Sequence, residues 1–104
     1  MGPTDERNWH ARKEAYLQHL EGPELGPGVW RVSAADKLHN ARSILSDLRE
    51  HGPSICERFH APAAEQRWYY SEVARILRER HDSVLTRELG RVVDNLTAEI
   101  DRSR

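Results

Sequence analysis

A row of short polar side chains carries the chemistry most open to interpretation. Ser33, Asp36, Asn40, Ser43 and Asp47 fall into one narrow sector when each residue advances by about 100°, as in an α-helix. Asp, Asn and Ser are weak helix formers because their side chains compete for backbone hydrogen bonds. An ordinary solvated face would be richer in Lys, Arg and Glu. Two readings follow. One is a polar helix face turned to water. The other is a row facing a cleft, where Asp36, ionised at neutral pH, offers a hard oxygen ligand to a divalent ion and Asn40, one turn on, orients a water or a substrate. Spacing alone leaves both open.

Other groups extend the second reading. Lys37 and Arg42 carry an ammonium and a guanidinium suited to phosphate oxygens, although solvated charges at helical spacing read the same way. Trp68, Tyr69 and Tyr70 offer a ring for stacking on a base, or anchor one helix on its neighbours. Cys56 lies in no CxxC pattern, and with one cysteine the chain forms no internal disulfide. His39 and His51 read as surface or helix-end residues, and His51 suits the negative end of a helix dipole.

The elements that must position these groups are helices. Residues 1–7 show no apolar periodicity and read as a frayed, disordered start. From Trp9, the residues Trp9, Ala11, Lys13, Tyr16, Leu17 and Leu20 outline an amphipathic helix, ended by Glu21-Gly22-Pro23; Gly26-Pro27-Gly28 keeps the connection open. A second helix starts at about Val29 or Val32 and runs to Glu50. Its core stripe is Ala34, Leu38, Ala41, Leu45 and Leu48, and His51-Gly52-Pro53 stops it, with Gly52 expected in a left-handed conformation. An irregular stretch follows through Ala61-Pro62. Trp68, Tyr69, Val73, Ile76 and Leu77 carry a third helix, and Leu85, Leu89, Val92, Val93, Leu96 and Ile100 a fourth. Whether His81-Asp82-Ser83 separates these two or bends one long helix is left open by the periodicity. No strand alternation or internal repeat is seen. The expected fold is all-α, with about four helical segments in a single domain over residues 1–104.

Bulk properties narrow the partners. With a charged fraction of 32% and a net charge of −1, no global field favours nucleic acid or an acidic membrane surface. A small phosphate held by two or three local groups remains compatible. There is no long apolar run and no signal-peptide pattern, so the expected compartment is the cytoplasm.

The run Val32-Ser33-Ala34-Ala35-Asp36-Lys37-Leu38-His39-Asn40-Ala41-Arg42 resembles the "ADKLHN" signature of HD-domain phosphohydrolases, in the branch related to RelA/SpoT-type guanosine tetraphosphate (alarmone) hydrolases. Trp9 to Leu17 resembles the "W..RK..YL" helix that precedes this signature in small HD proteins, and Phe59 with Trp68-Tyr69-Tyr70 resembles the "RF…WYY" stretch that follows it. The resemblance covers about Trp9 to Leu96. It implies a helical domain that holds one divalent metal, usually manganese, through a His, a His-Asp pair and a final Asp. That final Asp matches Asp36, and Asn40 matches the Asn beside the metal and the phosphoryl group. Lys37, Arg42 and Tyr69 become candidate contacts for a nucleotide polyphosphate substrate.

The family's first His and its His-Asp pair would lie upstream of Met1. His10 and His19 belong to no such pair, and His81-Asp82 follows Asp36 instead of preceding it. The resemblance is therefore to the C-terminal half of an HD domain, expected to be metal-incompetent and inactive alone. The alternative expectation is a non-catalytic helical module, or a degenerate truncated protein, that associates with itself or a partner through helix faces left uncovered.

Overall fold

A computed structural model describes residues 6–22, 26–52 and 63–102. The stretch expected to be irregular, with Cys56, Phe59 and Ala61-Pro62, and the residues before Glu6 lie outside the described residues. The described residues form four helices in order: α1 (Glu6–Glu21), α2 (Pro27–His51), α3 (Ala63–Arg80) and α4 (Val84–Arg102). The fold is all-α, with no strand among the described residues. None of these helices is long and apolar enough to cross a membrane.

Each helix begins and ends for local reasons. α1 starts at Glu6, one residue before the end of the segment 1–7, so residues 6 and 7, expected to belong to a disordered start, are helical. α2 starts at Pro27, earlier than the apolar pattern indicates, because proline at the first helical position sacrifices no hydrogen bond. Val29 and Trp30 then donate to the Gly26 carbonyl at 3.1 and 3.2 Å. At the other end, the Gly52 amide donates to the Leu48 carbonyl at 2.9 Å. Gly52 has φ 81° and ψ −177°. The positive φ is as expected, but ψ is extended, so the backbone enters a region almost closed to other residues instead of the left-handed helical one.

The point left open by periodicity is resolved by a capping pair. Helix α3 stops at Arg80, and Ser83 caps α4 by accepting from the Thr86 amide at 3.2 Å. Thr86 returns the contact: its Oγ1 accepts from the Ser83 amide at 2.9 Å and donates to the His81 carbonyl at 2.7 Å. This reciprocal arrangement is a capping box with threonine in the usual Glu/Gln position. Asp82 braces the turn from outside, pairing with Arg87 at 2.9 Å and with Arg78 at 3.4 Å.

The helices pack most extensively as α2 on α4 and α3 on α4, while α1 lies against α3. The α2 stripe predicted from spacing is buried throughout, and Trp30 and Ile44 join it. Leu20, Val73, Leu77, Leu89, Leu96 and Ile100 are fully enclosed or nearly so. Burying such side chains contributes roughly 1.5–3 kcal/mol each before entropy is counted. The Trp30 ring stacks on His81 (centroids 4.5 Å apart, 13° between planes), tying the start of α2 to the α3–α4 turn. Among the described residues, only Val29, Val32 and Val84 are large hydrophobics left exposed.

Candidate functional site

The polar row lies along the outer flank of α2. Asp36 and Ser43 are exposed, while Ser33, Asn40 and Asp47 are half-buried. The Asp36 carboxylate is 58% exposed. Asn40 donates from Nδ2 to its Oδ2 at 3.5 Å, a long contact across one helical turn. Lys37 Nζ approaches the same oxygen at 3.3 Å.

Lys37 belongs to a larger arrangement. Its side chain is only 13% exposed, and its ammonium sits 4.8 Å from the centre of the Tyr16 ring and 5.7 Å from that of Tyr69. One lysine on α2 thus reaches α1 and α3 together. Lys13, from α1, approaches the Tyr69 ring at 4.8 Å and the Trp9 ring at 5.5 Å. Ammonium groups over aromatic faces gain from the negative ring quadrupole, more so when water is partly excluded. These are the only two lysines among the sixteen Lys and Arg residues of the chain, and both sit at one tyrosine.

Burial sets the electrostatics. The Lys13 pKa is lowered, first by burial and then by the nearby charges of Lys37 and Arg12. Burial likewise pushes the Tyr69 hydroxyl well above its ordinary range, with Tyr16 and Asp36 adding to the effect. The Tyr70 hydroxyl is pushed up to about 12 by burial, which Lys37 partly offsets. Both phenols remain protonated hydrogen-bond donors at neutral pH.

Between α1, α2 and α3 lies a cavity of about 180 Å³, lined by Trp9, Lys13, Ile44, Gln66, Tyr69 and Tyr70. A wider groove of about 540 Å³ runs between α3 and α4 and includes Arg75, Arg78, Arg87 and Arg91. Those guanidinium groups are engaged with Glu72, Glu79, Asp82 and Glu88, so the groove presents satisfied ion pairs.

The structure therefore brings Asp36, Lys37, Asn40 and Tyr69 to one region and leaves Arg42 apart. Arg42 pairs with Glu88 of α4 at 3.0 Å. Tyr69 is 1% exposed and packs by edge contacts against Trp9 and Tyr70. It takes the packing role; its ring is no open platform for a base. The His81-Asp82 dipeptide is committed elsewhere, the imidazole to Trp30 and the carboxylate to two arginines. His10 bonds Glu65 through Nδ1 at 2.9 Å and stacks on Trp68.

Manganese, which the resemblance implies, is not matched by this arrangement. Among the described residues, no three His, Cys, Asp or Glu side chains converge. The polar groups beside Asp36 are an ammonium and an amide NH₂, both donors directed at Oδ2, and neither could serve as a further ligand to a cation.

Lys13 and Gln66 were not singled out by the sequence as site residues. Their signal was present: Lys13 is spaced with Trp9, Leu17 and Leu20, and Gln66 with Tyr69, Tyr70 and Val73, so each puts a polar group on an apolar stripe. The chain matches no protein-family model, no curated protein and no solved structure.

Proposed function

We propose that the chain is a portion of an HD-type metal-dependent phosphohydrolase acting on a nucleotide polyphosphate such as guanosine tetraphosphate, and that these residues alone do not turn the substrate over. The observation that carries the reading is the "ADKLHN" run itself, with Asp36 and Asn40 one turn apart on an accessible helix flank. In this reading Asp36 is one ligand of a metal set, and the remaining ligands come from outside the described residues. A lone carboxylate does not hold a metal that normally takes several protein ligands. The lysine beside it weakens the site further.

Titration of the chain with manganese, followed by an assay of guanosine tetraphosphate breakdown, tests this. The expected results are no tight one-to-one binding and no turnover. Tight binding or hydrolysis that disappears in Asp36→Ala would overturn the inactivity. Ancestry is tested separately by the DNA before Met1: an in-frame His and His-Asp pair supports it, and their absence from every upstream frame counts against it.

A second reading, a non-catalytic helical module, is favoured by Val29 and Val32, which are 44% and 70% exposed beside the polar row. Two exposed valines make a small apolar patch, well short of an uncovered helix face.

A further inference from the structure

The cavity between α1, α2 and α3 is lined by polar groups that the protein itself does not satisfy. Gln66 is 3% exposed, yet its amide has no hydrogen-bond partner among the described residues. Among the described residues no fully enclosed side-chain nitrogen or oxygen lacks a partner, so the amide must open onto accessible space, and the cavity is the space it lines. The Tyr69 and Tyr70 hydroxyls are in the same position: both residues are buried, both line the cavity, and neither hydroxyl has a partner among the described residues. Lys13 completes the lining with an ammonium that rests on aromatic rings and forms no ion pair there. Three buried residues, Gln66, Tyr69 and Tyr70, thus bring polar atoms without a partner among the described residues to one accessible cavity, beside the half-buried ammonium of Lys13.

We propose that this cavity is a binding pocket for a single phosphate group, with Lys13 supplying charge and Gln66, Tyr69 and Tyr70 supplying hydrogen bonds. The lining offers an ammonium, an amide NH₂ and two phenols, a donor set suited to an oxyanion. Local charge agrees: Lys13 has no carboxylate partner among the described residues, and the other ammonium at the Tyr69 ring, Lys37, is paired with Asp36 at 3.3 Å. Donors converging from two helices suit the several oxygens of a tetrahedral phosphate better than the two coplanar oxygens of a carboxylate. Size limits the ligand. At about 180 Å³ the cavity falls below the roughly 300–1,000 Å³ of pockets that enclose drug-sized ligands. It takes a free phosphate ion or the terminal group of a small phosphomonoester, and it excludes a whole nucleotide. The pocket needs no metal, so it does not depend on the role assigned to Asp36.

Calorimetric titration of the chain with potassium phosphate, in EDTA at constant ionic strength, tests the proposal. Saturable one-to-one binding is expected. It should weaken about tenfold in Lys13→Met, which keeps an unbranched chain over the rings, and severalfold in Tyr70→Phe. Circular dichroism checks that both variants fold; if Lys13→Met does not, Tyr70→Phe decides. Parallel titrations with glycerol phosphate and acetate identify the source. Glycerol phosphate binding as tightly as phosphate marks a terminal group, and phosphate alone marks the free ion. Absence of saturable phosphate binding, binding unchanged in the folded variants, or acetate binding as tightly as phosphate would overturn the proposal. A negative manganese assay would leave it standing, because no metal is present in this titration.

Discussion

Replacing Thr86 by valine is the sharpest test of how this fold is divided. The substitution keeps the shape and β-branching of a residue that is 0% exposed, and removes one hydroxyl. That hydroxyl accepts from the Ser83 amide at 2.9 Å and donates to the His81 carbonyl at 2.7 Å. Thr86→Val strands both backbone groups. A buried group left without a partner costs about 1–3 kcal/mol. Ser83 and His81 are half-buried, so water recovers part of each loss, and the low end applies to both. The expected destabilisation is about 2 kcal/mol, a large part of the roughly 5–15 kcal/mol that holds a domain of this size. Urea unfolding followed by far-ultraviolet circular dichroism measures it, with an unchanged slope showing that the same surface unfolds. Ser83→Ala removes only the reciprocal cap and should cost about 1 kcal/mol. The double variant should fall short of the sum, because the two residues cap each other. A Thr86→Val protein within about 0.5 kcal/mol of the original would refute the assignment of the α3–α4 break to this pair.

Two further outcomes follow from the geometry. The Tyr70 pKa is raised in the folded chain, so the unfolded chain loses its phenolic proton first as pH rises; stability is full below about pH 10 and falls toward about pH 12. Thermal melts across that window should show the loss, and Tyr70→Phe should lessen it; an equal loss in the variant would contradict the burial argument. Gly52→Ala should destabilise by about 1–3 kcal/mol in denaturant titrations, since alanine is strained at this backbone conformation although no atom crowds its Cβ. A neutral effect would mean that the chain leaves α2 by another path.

The sequence revealed those parts of the molecule that repeat. The α2 stripe from Ala34 to Leu48 and the α4 stripe from Leu89 to Ile100 are spaced at helical period, and each of their residues is buried. The break at residues 81–83 was hidden because α3 and α4 have the same periodicity, and the cap uses Thr86 where the familiar pattern has Glu or Gln. Trp30 lies one turn before Ala34, in step with the α2 stripe, so its burial was legible in the spacing, while its stacking on His81 was not. The region around Asp36 divides in the same way. Asp36 and Asn40 share a helix, so spacing placed them together. Lys13 and Gln66 come from two other helices, and only packing brings them to Tyr69 and Tyr70. Arg42, close to Asp36 in sequence, turns to the opposite neighbour, α4.

The use of lysine has a practical consequence. Every other cationic side chain in this protein is arginine, so reagents that acylate or cross-link primary amines have two side-chain targets, Lys13 and Lys37, and both lie at the same tyrosine. Lys13, with its lowered pKa, carries a larger share of the neutral, nucleophilic amine than an ordinary lysine at the same mildly alkaline pH. The chain therefore contains its own labelling handle at this position. Mass spectrometry of a briefly acylated sample then reads the accessibility of the Lys13 cavity from one modified side chain, with Lys37 and the α-amino terminus as the two other amines to separate by peptide mapping.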